Sequence, residues 1–251
     1  MRNLKPLSLI PLALLAGVVS AQEPPFYQAA RTLDPISVDG RLDEFTWAAL
    51  PRVGQFQDIR PAEGKGPAPL TSAALAWDDQ MLYVAFACVD QVPWSTMMER
   101  DMRLWEQEVV ELFLDPDADG KDYPELEVSP NNVVVDLLIP APGAVDASVS
   151  SRWDIEGLET AVSKHAAGWT VEIAVPWRSL EKAGVSSPPR PGDRWRVGLY
   201  RIERAGDAER AHDAALEEKL SAGDHFLAWA PTERTFHEPE RFGVVEFVLK
   251  P

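Results

Sequence analysis

The chain has 251 residues, with 40 acidic against 24 basic side chains and a formal net charge of −16 at pH 7. A surface of that sign repels phosphate backbones and anionic membranes, so it argues against nucleic-acid work and leaves neutral sugars and cations open. The single cysteine, Cys88, rules out an internal disulfide.

The chain begins with Arg2 and Lys5, an apolar run from Leu7 to Val19, and a small-residue exit at Val19-Ser20-Ala21. That is the pattern of a signal peptide over residues 1–21, with a mature end at Gln22 and export to the periplasm or the extracellular space. The run is too short, and too quickly followed by Pro24-Pro25, for a membrane anchor. Residues 22–251 carry no Gly/Ser-rich or Pro-rich linker, so they read as one domain.

Strand signals dominate the rest of the chain. Ala73–Trp77, the turn Asp78-Asp79-Gln80 and Met81–Val89 predict a hairpin. Cys88 ends a run, Leu82–Cys88, that is apolar on both faces; it reads as a core residue and not as a reactive thiol. Val109–Asp115 alternates, with Val110, Leu112 and Leu114 on one side and Glu111 and Phe113 on the other. Asp115-Pro116-Asp117-Ala118-Asp119-Gly120 resembles the first half of a hard-cation loop. Position twelve of that loop is Leu126, so it is no EF-hand. A structural calcium held by Asp115, Asp117 and Asp119 and completed by carbonyls is one reading, a plain acidic turn the other.

In Tyr123–Ser129, Leu126 and Val128 face one way, Glu125 and Glu127 the other. Strands are also predicted at Val133–Ile139, Trp169–Val175, Trp195–Glu203 and Val244–Leu249. Ala208–Leu220, closed by Gly223, is the one convincing helix and sits between two strands. The predicted class is all-β: a jelly-roll-like sandwich of antiparallel sheets with one short helical insertion.

Three stretches carry a recognisable pattern. They are Ile36–Glu44 followed by Trp47, then Arg100–Pro116, then Ala228–Thr232 running on to Phe236–Gly243. In this order they resemble the family 9 carbohydrate-binding modules, over almost all of the mature chain. The resemblance implies a β-sandwich with structural calcium, and a sugar chain end gripped between two aromatic rings. It places Trp105 and Phe236 at the ring positions and Glu111 at an acid that bonds sugar hydroxyls. Glu127 falls about where the described binders carry a basic sugar-contacting residue, and His237 adjoins Phe236.

The same residues make physical sense. A pyranose needs flat aromatic surface for its C–H face and fixed polar groups for its hydroxyl rim. Trp105 lies in a charged loop before a strand, where a ring can stay exposed or pack over the sandwich edge. Trp47, Trp77, Trp169, Trp177, Trp195 and Trp229 lie in or beside apolar strands and read as core, while Trp94 and Trp153 stay open. Glu111 as a hydroxyl acceptor is expected to stay ionised at neutral pH. The expected function is therefore a secreted, non-catalytic protein that binds mono- or oligosaccharides or polysaccharide chain ends.

Two competing readings remain. A glycoside hydrolase needs only two suitably placed carboxylates, although no nucleophile elbow or zinc set is present. A haem-binding electron carrier could use Met97 or Met98 with His225 or His237, non-covalently, since no C-x-x-C-H occurs.

Overall fold

A computed structural model describes residues 23–62, 65–143, 153–181, 185 and 187–250. The expected leader, residues 1–21, and its cut at Gln22 lie outside them. Twelve strands form one sheet: β1 (Phe26–Arg31), β2 (Gln57–Asp58), β3 (Thr71–Trp77), β4 (Met81–Val89), β5 (Val109–Asp115), β6 (Tyr123–Val128), β7 (Val134–Ile139), β8 (Glu159–His165), β9 (Gly168–Pro176), β10 (Arg194–Glu203), β11 (His225–Ala228) and β12 (Gly243–Val248). Their order is β7-β6-β5-β10-β12-β1-β3-β4-β9-β8, with β11 pairing both β10 and β2. The helices are short: α1 (Phe45–Ala49), α2 (Trp177–Leu180) and α3 (Ala214–Leu220).

The all-β class holds, but the pairing is mixed and not wholly antiparallel. β1 runs parallel to both of its neighbours, β12 and β3. It lies between the last strand and the first hairpin, and so joins the two halves of the sheet. No sequence pattern announced it, because Phe26–Arg31 is short and follows two prolines.

The sheet curls so that the halves enclose one main core. Val110, Leu112 and Leu114 of β5 and Leu126 and Val128 of β6 meet Val84 and Phe86 of β4 and Val171 and Ile173 of β9. The period-two alternation in the sequence is the cause, since it gives each strand a single apolar face to bury. Trp77, Trp169, Trp177, Trp195 and Trp229 are core residues here, and so is Cys88, whose thiol burial pushes up to about 12. Trp47 is buried on the outer side of β3 and β4, and its Nε1 donates to Glu172 Oε1 at 2.8 Å.

Glu172 Oε2 also accepts from the Asp39 and Gly40 amides at 3.0 and 2.8 Å, tying the entry segment to the sheet. Gly40 has φ +83°, and a Cβ there would stand 2.7 Å from the Val162 carbonyl carbon. Only glycine fits that approach.

The helical insertion differs from expectation. Ala208–His212 is a 3-10 turn and α3 begins only after Asp213, which is extended and whose side chain accepts from the Ala215 and Leu216 amides. Asp213 is an N-cap, so one expected helix becomes two pieces.

A second apolar cluster covers the outer side of β5, β6, β7 and β10, built from Phe113, Tyr123, Val135, Leu137, Tyr200 and Phe242 among others. Both faces of β5 and β6 are therefore covered, and the acidic row on the outer face is buried with them.

Candidate functional site

Glu111 and Glu127 are direct cross-strand partners, and Glu125 lies two residues before Glu127 on the same face of β6. All three are buried, at 2, 1 and 4 % exposure. Like charges facing each other across a sheet destabilise it, so a row of this kind runs against folding. One oxygen from each carboxylate lies within 4.8 Å of the other two. Glu125 Oε2 and both oxygens of Glu127 have no hydrogen-bond partner. The groups acting on Glu127 are Glu111, the Glu125 carboxyl and the Trp105 amide, the last of which favours its charged form.

These acids line a cleft of about 590 Å³ together with Trp105, Phe236 and His237. All five residues assigned to sugar from the sequence meet there, although they come from three separate segments. Trp105 sits in the 3-10 turn Leu104–Glu106 and is half-buried against the outer cluster. Its carbonyl accepts from Arg204 Nη2 at 2.8 Å, and the Arg103 guanidinium stands 5.5 Å from its ring centre.

Phe236 is only 8 % exposed, and one face is stacked on Tyr200 at 4.2 Å and 13°. It is a wall of the cleft with one face already used. His237 Nδ1 lies 3.0 Å from the Tyr123 hydroxyl, and burial pulls the ring down to about 4, so it is neutral at pH 7.

The expectation of an ionised Glu111 runs against its surroundings. Desolvation first, and then the Glu125 charge, push its pKa well above the usual carboxylate range, while Arg204 opposes them. Burial followed by Glu111 and Glu125 does the same to Glu127, and burial raises Glu125 to about 7. Burial and mutual repulsion therefore favour the protonated forms of these acids, and a protonated acid both donates and accepts.

Sequence reasoning left out part of this site. Phe226 of β11 lines the cleft with the Arg60 guanidinium 4.0 Å from its ring centre, and Arg204 closes the side beside Trp105. The only available signal was the alternation in His225–Ala228, too short to stand out. Trp94 and Trp153 do not line the cleft: Trp94 is buried with Nε1 donating to the Arg204 carbonyl, and Trp153 packs against the main core.

The cation loop is also assembled. Carboxylate oxygens of Asp115, Asp117 and Asp119 lie within 4.8 Å of one another. Asp115 is buried; its Oδ2 accepts from the Gly120 amide at 3.1 Å, while its Oδ1 has no partner. Burial, with Asp117 and Asp119 adding to it, raises Asp115 to about 6. An orphaned buried oxygen beside two exposed acids suits a hard cation.

For the haem reading the fit is poor. The cleft lining includes His237 but no methionine, His225 Nδ1 is held by Asp58 Oδ2 at 2.8 Å, and the Asn131 amide contacts Met98 Sδ.

Residues 38–250 match the model of the "Carbohydrate family 9 binding domain-like" family. The chain belongs to that family. One relative is an exoglucanase of Acetivibrio thermocellus, 25 % identical over 143 residues, which are 57 % of this chain and 12 % of the enzyme; the chain thus matches only about an eighth of that protein. Another, called an extracellular protein of Arthroderma benhamiae, is 26 % identical over 196 residues, 72 % of this chain and 80 % of that one. A family 9 module from Caldicellulosiruptor kristjanssonii, solved in complex with cellotriose, superposes with a TM-score of 0.62 over 90 % of this chain and 95 % of the module, at 20 % identity. That likeness supports the β-sandwich fold. Among the described residues no helix is long and apolar enough to cross a membrane.

Proposed function

We propose that this chain is an exported, non-catalytic sugar-binding protein whose ligand lies in the cleft walled by Trp105 and Phe236. A pyranose face rests on Trp105, and its hydroxyls bond to Glu111, Glu127 and His237. The observation that carries this reading is the convergence of one half-exposed indole and three buried acids, two of them with unsatisfied oxygens, on a single cleft. Buried polar groups without partners cost stability, so a ligand that supplies their hydrogen bonds binds there with a gain. Family membership and the cellotriose bound by a like-folded module support the same conclusion.

Trp105→Ala is expected to weaken oligosaccharide binding by about 1–3 kcal/mol, roughly 5- to 150-fold, while moving the melting temperature little, because the ring is a rim contact. Calorimetric titration beside a thermal melt reads both. Equal affinities, or a large fall in melting temperature without a change in affinity, would count against the stacking role.

The protein is expected to release no reducing ends from oligosaccharides. Sustained release that Glu111→Gln abolishes would turn the reading into a glycosidase.

Calcium is proposed at Asp115, Asp117 and Asp119 as a structural ion. A metal that binds only the folded state adds about 2.7 kcal/mol at a hundredfold excess over Kd. With Asp115 at about 6, the gain is expected to grow as pH rises through that value, since the ligand must lose its proton. An identical melt in calcium and in excess chelator at pH 7.5 would rule out the structural ion.

A further inference from the structure

The floor of the cleft holds more acid than a neutral sugar can use. Glu111, Glu125 and Glu127 present three oxygens to one point, and three carboxylate oxygens among them have no partner.

Arg60, Arg103 and Arg204 also line the cleft, and Arg204 acts on Glu111, holding its shift down. Arg204 sends Nη1 to Asp224 Oδ2 and Nη2 to the Trp105 carbonyl, both at 2.8 Å, and keeps a buried Nε without a partner. Arg103 pairs with Glu106 at 3.0 Å, and Arg60 lies over the Phe226 ring. His237 Nε2 stands 3.9 Å from Glu125 Oε2 but is neutral. Tyr123 and Tyr200 face the cluster as phenols, both pushed up by burial and by these acids.

We propose that the ligand of this cleft is a sugar carrying a free amine, whose ammonium group seats against Glu111, Glu125 and Glu127 while its ring lies on Trp105. The inference rests on the sugar-binding reading above and narrows its substrate class. An ammonium has three donors in a tetrahedral array and makes short bonds to carboxylates of about 2.8 Å. Three acceptors around one such nitrogen stand about 4.6 Å apart by that geometry, and one oxygen from each of the three acids lies within 4.8 Å of the other two.

A divalent metal fits the same acids less well. Calcium takes six to eight oxygens, so these three acids would have to bind it through both oxygens each or be joined by further ligands such as the Thr235 hydroxyl. An organic cation needs only the three acceptors present.

The test compares a β-1,4-linked glucosamine dimer, its N-acetylated form and cellobiose by calorimetry at pH 7 on the full chain, with buffers of two ionisation enthalpies. The glucosamine dimer is expected to bind at least tenfold more tightly than the other two and to release protons as the acids ionise around it. Glu127→Gln and Glu125→Gln are each expected to narrow the gap, with folding checked by melt, whereas Trp105→Ala weakens all three sugars alike. If cellobiose binds as well as the glucosamine dimer, the amine assignment is overturned and the sugar reading stands. The assignment is equally overturned if the gap survives in both Gln variants, or if cellobiose binding requires calcium and is lost in Glu127→Gln. If a folded protein binds none of the three nor any other saccharide, both readings fail.

Discussion

Arg201→Met is expected to destabilise the fold by about 3–5 kcal/mol, the usual cost of leaving buried charges without their partner. Arg201 is fully buried in β10, where Nη2 bonds Asp90 Oδ2 at 3.2 Å and also Glu203. Nη1 donates to the Val89 carbonyl at 3.0 Å and to Thr71 Oγ1 at 3.2 Å, so one side chain ties β10 to β3 and β4. Glu108 lies in the same pocket, within 4.8 Å of Asp90 and Glu203. Even beside the guanidinium, burial raises Glu108 to about 10 and Glu203 to about 7. Without Arg201 the acids lose the one cation that opposes those shifts. For a chain of this size the melting temperature should fall by on the order of 10 °C. The loss should be smaller at pH 5, where Glu203 has gained its proton. A fall of only one or two degrees at pH 7 would show that the pair contributes nothing net.

The opposite sign is expected in the cleft: Glu125→Gln should raise stability at neutral and alkaline pH. Folding lifts Glu125 from 4.5 to about 7, mainly by desolvation. Between those values the folded state binds a proton that the unfolded state has lost, so stability falls as pH rises. Below about pH 4.5 both states are protonated, and the substitution should change little. Above 7 the full difference, about 3 kcal/mol, separates variant from wild type at 1.36 kcal/mol per pH unit. Glu111 and Glu127 shift the same way, which adds to the wild-type slope. Melts from pH 4 to 8 measure this; curves that stay parallel across the range would mean that the acids are solvated and ionised. Stability gained here should come with weaker ligand binding, as is common where function holds strained groups.

The strand pattern was legible because period-two alternation is a local signal: Val110, Leu112 and Leu114 do face the core. The site was legible through the second and third motif stretches, which supply Trp105, Glu111, Phe236 and His237, and through the alternation of Tyr123–Ser129, which supplies Glu127. What the sequence hid was set by distant contacts. β1 owes its place to parallel partners more than forty and more than two hundred residues away. The second apolar layer over β5 and β6 comes from β7, β10 and the segment holding Phe236 and Phe242. Without it the row Glu111, Glu125 and Glu127 reads as a solvated face; with it the row is buried and its carboxyls are pushed toward the protonated form. Asp213 splits the helical insertion because its side chain caps α3, a choice that helix propensity over Ala208–Leu220 does not show.

The proposed seating of sugar on Trp105 above these acids has a direct consequence for glycan recognition. A glycan array probed side by side with the wild-type chain and with Trp105→Ala, both verified as folded, reads it out. The wild type is expected to retain a defined set of glycans and the variant to lose that set as a whole. Retention of the same glycans at equal strength by both proteins, or of none by the wild type, would contradict sugar binding at Trp105.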